Sequence, residues 1–394
     1  MTHPTTHPTT YHGTFISPET GDRKTGRLEV EAGRVTSFRE AAAEPGDEVL
    51  PGFITPGLID AHVHLLMDGG ADPVGTLQAA NGVQRVLQAQ AHMLQQLRAG
   101  VTTVRDLGGP DGVAVALGAA ASAGQVVGPH VVSSGRNITM TGGHGHFLGT
   151  EADGVDAVRA AARAELKAGA HVLKFMATGG VLTQGVRAGA EALTEAELRA
   201  GVEEAHKADK RTAAHAQGLA GIKNALRAGI DTIEHGAFDT WDDEALELLQ
   251  TRWLVPTLAA PAGILSGKGT LPTWMIDKTE PVAAKHRENT ATAHQAGVRI
   301  VAGTDSGTPF NPHGNLPGEL ELLHSVGLSL LEVLQAATTV AAEALDLTGQ
   351  IGTLKPGAWA DFVVWQHDPL GEISTYRTPV RVVCRGRRVD GEGL

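Results

Sequence analysis

The sequence predicts an α/β fold, a closed (β/α)8 TIM barrel over residues 56–349, with a small β-sandwich domain built from both termini, residues 1–55 and 350–394. Three patterns predict it. First, a helix-ending signature recurs in the middle of the chain, at Arg98-Ala99-Gly100, Lys167-Ala168-Gly169, Arg227-Ala228-Gly229 and Gln295-Ala296-Gly297. Glycine just past a helix supplies the left-handed residue there, and a cation or polar side chain in the last turn suits the helix dipole. Second, an apolar run follows each glycine and reads as a buried parallel strand. This alternation continues from about Ile54 to about Leu345 with no GxGxxG or Walker-type loop, which favours a closed barrel over an open doubly wound sheet. Third, both ends of the chain carry short β-like runs broken by turn residues instead. The 50 glycines and 4% aromatic content fit many tight connections packed by small apolar side chains.

Met1 to Thr10 repeat His-Pro-Thr-Thr and read as a frayed tail. They lack the basic and apolar regions of a secretory signal, and His3 and His7 are better explained by a loose end than by metal binding. Gly26–Glu31 and Arg34–Phe38 are expected strands of the small domain, and the stretch Pro56 to His64 carries the first barrel strand. Val83, Leu87, Ala91 and Leu94 share one face of a helix that leads into the strand Val101–Val104. Further strands are expected at Val131–Gly135, His171–Met176, Thr212–Ala216, Ile230–Ile233 and Val298–Ala302, with helices at Ala152–Leu166, Glu195–Ala208 and Leu331–Leu345. Leu182–Ala192 and Ala260–Asp277 read as loops lining a pocket. Asp361–Trp365, Val380–Cys384 and Arg387–Asp390 complete the small domain, since neither end holds enough apolar residues to fold alone.

A formal net charge of −12 argues against nucleic-acid or anionic-membrane surfaces, which need clustered Lys and Arg. Small-molecule partners are expected. Cys384 is the single cysteine, so neither an intrachain disulfide nor a thiolate metal cluster can form. With no apolar run of roughly 18 residues, no membrane helix is expected, and a cytoplasmic location follows as the expectation.

His62 and His64 lie two residues apart at the end of an apolar strand, so both imidazoles point to one side and can grip one metal ion. Alone, such a pair is as readily two partly exposed histidines. Lys174 shares a side with Val172 and Met176 inside a buried strand. Burial favours its neutral amine, which can take up carbon dioxide to give a carbamate with two anionic oxygens. The alternative is a lysine whose stem packs while its head reaches water. His215, His235 and Asp305 each close an expected strand, and singly each reads more readily as a core histidine or a helix-capping aspartate. A closed barrel brings the C-terminal ends of its strands together, so the six form a set.

The motifs Pro56-Gly57-Leu58-Ile59-Asp60-Ala61-His62-Val63-His64, Lys174-Phe175-Met176-Ala177-Thr178-Gly179-Gly180, Ala214-His215-Ala216, Ile233-Glu234-His235-Gly236, Ala302-Gly303-Thr304-Asp305 and Gly352-Thr353-Leu354-Lys355-Pro356-Gly357-Ala358-Trp359-Ala360-Asp361 resemble those of the amidohydrolase superfamily. The lysine before Ala177-Thr178-Gly179-Gly180 and the loop Thr141-Gly142-Gly143-His144-Gly145-His146 are most similar to the branch of prolidase-like dipeptidases, carboxypeptidases and N-acyl amino acid hydrolases. The resemblance implies two divalent metal ions, usually zinc. His62, His64 and Asp305 would hold the more buried ion, His215 and His235 the more exposed one, and N6-carboxylated Lys174 would bridge them. Such a pair activates water and polarises a carbonyl, with Asp305 passing the proton to the leaving amine.

His144 is expected to bind substrate, whereas His146 reads as an ordinary loop histidine. Arg105 and Arg136 are open between pairing with a substrate carboxylate and serving the barrel through Asp106. Tyr11 and Tyr376 lie outside the barrel, so no barrel tyrosine can bind substrate. The implied enzyme is a metal-dependent amidohydrolase acting on a small amide, a dipeptide or N-acyl amino acid with a free carboxylate, and a homo-oligomer. The alternatives are a hydrolase or deaminase of a cyclic amide or heterocycle, as in imidazolonepropionase-like relatives, and a non-catalytic scaffold on this barrel.

Overall fold

The computed structural model describes residues 8–185 and 187–389. Eight parallel strands form the barrel: Leu58–Val63, Val101–Asp106, His130–Ser133, Val172–Met176, Arg211–Ala216, Thr232–His235, Trp253–Val255 and Arg299–Ile300. Every residue of the first, second and fourth is buried, as expected of strands covered on both faces. The first three pair in sequence, as do the fourth to the eighth. Between the third and fourth, the His171 amide donates to the Ser133 carbonyl at 2.8 Å, and the short strand Asn137–Thr139 pairs with the fourth at Phe175.

The seam between the eighth strand and the first is closed by single bonds from irregular backbone. Ala61 N donates to Ala302 O at 3.0 Å, Asp305 N to His62 O at 2.7 Å and His64 N to Ser306 O at 2.9 Å. Asp60 staples the same seam, accepting from Thr304 through its amide at 2.9 Å and its hydroxyl at 2.7 Å. Helices follow the strands on the outside, several started by reciprocal capping boxes such as Thr194 with Glu197 and Ser329 with Glu332.

The terminal segments form one seven-stranded sheet, ordered from edge to edge as Arg387–Arg388, Pro379–Cys384, Phe362–Trp365, Glu48–Pro56, Thr9–Ile16, Arg23–Glu31 and Arg34–Arg39. It bends back on itself, with Val35 N donating to Ala358 O and Ala360 N to Gly33 O, each at 2.9 Å. Tyr11, Leu28, Val35, Ile54, Phe362 and Val364 fill the space enclosed. The small β domain expected from both termini is this sheet, folded over its own core. Thr9 and Thr10, read as tail, begin one of its strands, while His3, His7 and Asp390 lie outside the described residues.

Four expectations need correcting. The helix Gly82–Arg98 buries Ala89, His92, Met93, Gln96 and Leu97, and leaves Val83 (70%) and Leu87 (65%) exposed. The three-residue strand Trp253–Val255 had no counterpart in the sequence reading. Ala260–Asp277 is largely helical, spanning Ala259–Ser266 and the start of Thr273–Gln295. The expected helix Leu331–Leu345 is two helices, Leu330–Ala336 and Thr339–Ala344, separated at Thr338. No helix among the described residues is long and apolar enough to cross a membrane.

Candidate metal centre

The six side chains singled out in the sequence meet at the C-terminal mouth of the barrel, on the wall of one pocket. His62 and His64, alternate residues at the end of the first strand, bring their Nε2 atoms to 3.5 and 3.3 Å from Asp305 Oδ1. Ligand atoms of these three residues lie within 4.8 Å of one another. Ring centroids place His235 5.2 Å from His62 and 4.6 Å from His215, and His144 4.4 Å from His215. Lys174 lies on the same wall.

Each imidazole is held on one side by protein. His62 Nδ1 donates to Glu234 at 2.9 Å and His64 Nδ1 to the Gly108 carbonyl at 3.1 Å. His215 Nε2 donates to the Gly179 carbonyl at 3.2 Å, and His235 Nδ1 is hydrogen-bonded to the Thr257 hydroxyl at 2.7 Å. Such bonds fix tautomer and ring orientation and leave the other nitrogen a lone pair, as metal-ligating histidines require. Burial keeps His62, His215 and His235 neutral, pushing each well below the usual imidazole range. At His64 burial acts the same way, but the adjacent Asp305 carboxylate reverses the net direction to upward. Burial likewise lowers the Lys174 amine to about 8, against the pull of Glu234 and Asp305. Among the described residues it forms no ion pair or hydrogen bond, although the side chain is 1% exposed. A donor set of neutral imidazoles, a carboxylate and a buried, readily neutralised amine fits divalent cations.

Local backbone makes this convergence possible. His235, Thr257 and Asp305 adopt positive φ of 72°, 59° and 58° at strand ends, a region that non-glycine residues seldom occupy. At His235 the turn breaks strand alternation, so that adjacent Glu234 and His235 serve the same centre. Gly303 lets the eighth segment approach, because a Cβ there would lie 3.0 Å from His62 Cβ and 2.5 Å from Val255. Gly180 leaves room for the His144 ring, which a Cβ would meet at 2.5 Å.

His144 lines the pocket with Nδ1 hydrogen-bonded to the Thr183 hydroxyl at 3.0 Å, and burial lowers it to about 3. His146 is exposed, with Nδ1 against the Gly143 carbonyl at 3.1 Å. Arg105 is buried inside the barrel and donates to Glu234 at 2.9 Å, Ala61 O at 2.6 Å and Thr232 at 2.9 Å. Asp106 is not its partner. Arg136 sits away from the pocket, 3.8 Å from Asp111.

Sequence reasoning passed over Glu234, Asp60, Thr257 and His286. Glu234 stands in a quoted motif beside His235, yet strand alternation points it away from its neighbour. His286 lies on the helix Thr273–Gln295, where no strand-end signal exists. The rest of the wall is mostly apolar, including Met67, Phe147, Leu182, Ala260, Ile264 and Val282.

A model described as the amidohydrolase family matches residues 53–389. An ochratoxinase from Aspergillus niger is 32% identical over 374 residues, covering 84% of this chain and 73% of that protein. A crystal structure of a Xaa-Pro dipeptidase with bound methionine superposes with a TM-score of 0.89 at 26% identity, covering 98% of this chain and 100% of the other. A prolidase complexed with N-methylphosphonate-L-proline gives 0.89 at 29% identity, over 97% of this chain and 99% of the other.

Proposed function

Because this chain belongs to the amidohydrolase family and is a hydrolytic enzyme acting on amide C–N bonds, we propose that it is a two-metal hydrolase of dipeptides or N-acyl amino acids carrying a free carboxylate. One observation carries the reading: four imidazoles, each anchored through one nitrogen, converge with Asp305 and a buried Lys174 that has no hydrogen bond among the described residues. His62, His64 and Asp305 would hold one cation, zinc by resemblance, His215 and His235 the other, and N6-carboxylated Lys174 would bridge them. Cations so held supply Lewis acidity toward an amide carbonyl and a water activated near neutral pH.

The chain's own groups do the rest. Asp305 Oδ1, within 3.5 Å of both His62 and His64, takes the proton released by the attacking water and passes it to the leaving nitrogen. His144, fixed through Thr183 and neutral, hydrogen-bonds a substrate oxygen. The apolar wall of Leu182, Ile264 and Val282 receives the substrate's side chain and keeps bulk water from the reacting bond. Copies of the chain assemble through the apolar stripe of Val83, Val86 and Leu87, exposed on one helix.

Metal analysis of purified protein should give about two ions per chain, and Lys174→Ala should lose both. A zinc-loaded sample screened on dipeptides and N-acyl amino acids should turn over members of that panel. Turnover of a heterocycle with none on any acyl amino acid would reverse the assignment.

A further inference from the structure

The eighth segment leaves regular strand after Ile300, and the chain then turns sharply at Asp305, whose φ of 58° lies in the left-handed region. An aspartate in that conformation must be held by its surroundings. Two peptide planes meet at its α-carbon, and both are clamped. Toward the first strand, the Asp305 amide donates to His62 O at 2.7 Å. In the loop that follows, the fully buried Asn311 donates through Nδ2 to the carbonyls of Thr304 at 2.8 Å and Asp305 at 3.0 Å. Among the described residues the Thr304 carbonyl has no other donor. That of Asp305 also accepts from Thr308, from its hydroxyl at 2.7 Å and its amide at 3.3 Å.

One side-chain amide therefore spans the planes before and after Asp305. Because each peptide unit is rigid, fixing both planes fixes φ and ψ, and with them the direction of the Cα–Cβ bond. Oδ1 then rests 3.5 and 3.3 Å from the Nε2 atoms of His62 and His64. Asn311 is itself anchored. Its Oδ1 accepts from Nδ2 of Asn315, the residue before the helix Leu316–Ser325, at 3.0 Å. Its backbone closes the loop, the amide donating to Thr308 O at 3.0 Å and the carbonyl accepting from Gly307 N at 2.9 Å. The residue type suits the task, since serine would offer one donor and an ionised aspartate none. We propose that Asn311 is a positioning residue, which acts through Asp305 to aim the carboxylate at the cation held with His62 and His64. This rests on the two-metal reading above and adds to it a side chain that touches neither ion nor substrate.

The test is zinc titration of metal-stripped protein against a chromophoric chelator. Asn311→Ala should bind one of two ions about 10–100-fold more weakly, the range for losing an outer partner of a metal ligand. Asn315→Ala loosens the same amide from its far side and leaves the Nδ2 bonds in place, so it should weaken the same ion by less. It carries the test should Asn311→Ala not fold. A double-mutant cycle separates aiming from general loosening. In an Asp305→Ala background, adding Asn311→Ala should change zinc affinity by less than about twofold, because the carboxylate it acts through is gone. Unchanged zinc binding in both asparagine variants, with Asp305→Ala weakened, overturns the Asn311 assignment alone. A full Asn311→Ala effect that persists without Asp305 overturns it too. Asp305→Ala that binds both ions like the wild type, or a wild type that binds no zinc, rejects the ligand set itself, and the assignment falls with it.

Discussion

At the scale of single residues, Glu234 ties the metal centre to the barrel interior. One carboxylate oxygen accepts from His62 and the other from Arg105, all three side chains being at most 1% exposed. Glu234→Gln removes the charge that balances Arg105 and weakens the hold on His62. Breaking one side of a buried pair costs about 3–5 kcal/mol, and losing an outer partner of a ligating histidine costs roughly 10–100-fold in metal affinity. Thermal denaturation should therefore show a lower melting temperature, and chelator competition faster metal loss. Asp305→Asn should instead lower kcat by roughly 10²–10⁴, the range for losing a positioned proton carrier, in steady-state assays of metal-replete protein. The six residues at the mouth could be read from sequence because strand ends in a barrel must converge. Glu234 and His286 could not, since a positive φ at His235 and a distant helix placed them there.

Among elements, the helix Leu316–Ser325 carries buried Glu319, which accepts from the amides of Leu258 and Ala259 at 3.0 and 2.7 Å. It thereby anchors the start of the pocket-lining helix Ala259–Ser266. Burial pushes its carboxyl up to about 8, with those two amides opposing. The folded state therefore holds its proton more tightly than the unfolded chain, and stability drops as pH rises from the ordinary carboxylate range toward about 8. Melting curves should show that Glu319→Gln loses less stability than the wild type between pH 5 and 8, a window spanning the ordinary and raised values.

Elements with long periodic patterns were foreseeable, and the exceptions have physical causes. The outer helix Gly82–Arg98 faces its polar His92 and Gln96 inward, where His92 donates to Leu65 O at 2.8 Å and Gln96 Nε2 lies 3.4 Å from His313 Nδ1. A hydrophobic pattern therefore selects the wrong face. Trp253–Val255 is too short to carry any periodicity, and Pro261 with Pro272 makes the helices around them look like loop.

At the level of the whole molecule, the inverted helix leaves Val83, Val86 and Leu87 exposed near Val127 (46%). The proposed assembly through this stripe makes a prediction at this scale. Light scattering should give a mass that is a multiple of 40.9 kDa. The pair Val83→Glu and Leu87→Glu should reduce it without altering the metal content of the remaining species.

The seam has a consequence for synthesis. Asp60 and Thr304, which staple the barrel shut, stand 244 positions apart, and the terminal sheet joins strands made first to strands made last. While the ribosome still holds the C-terminal third, the nascent polypeptide can complete neither layer, and His62 and His64 must wait for Asp305.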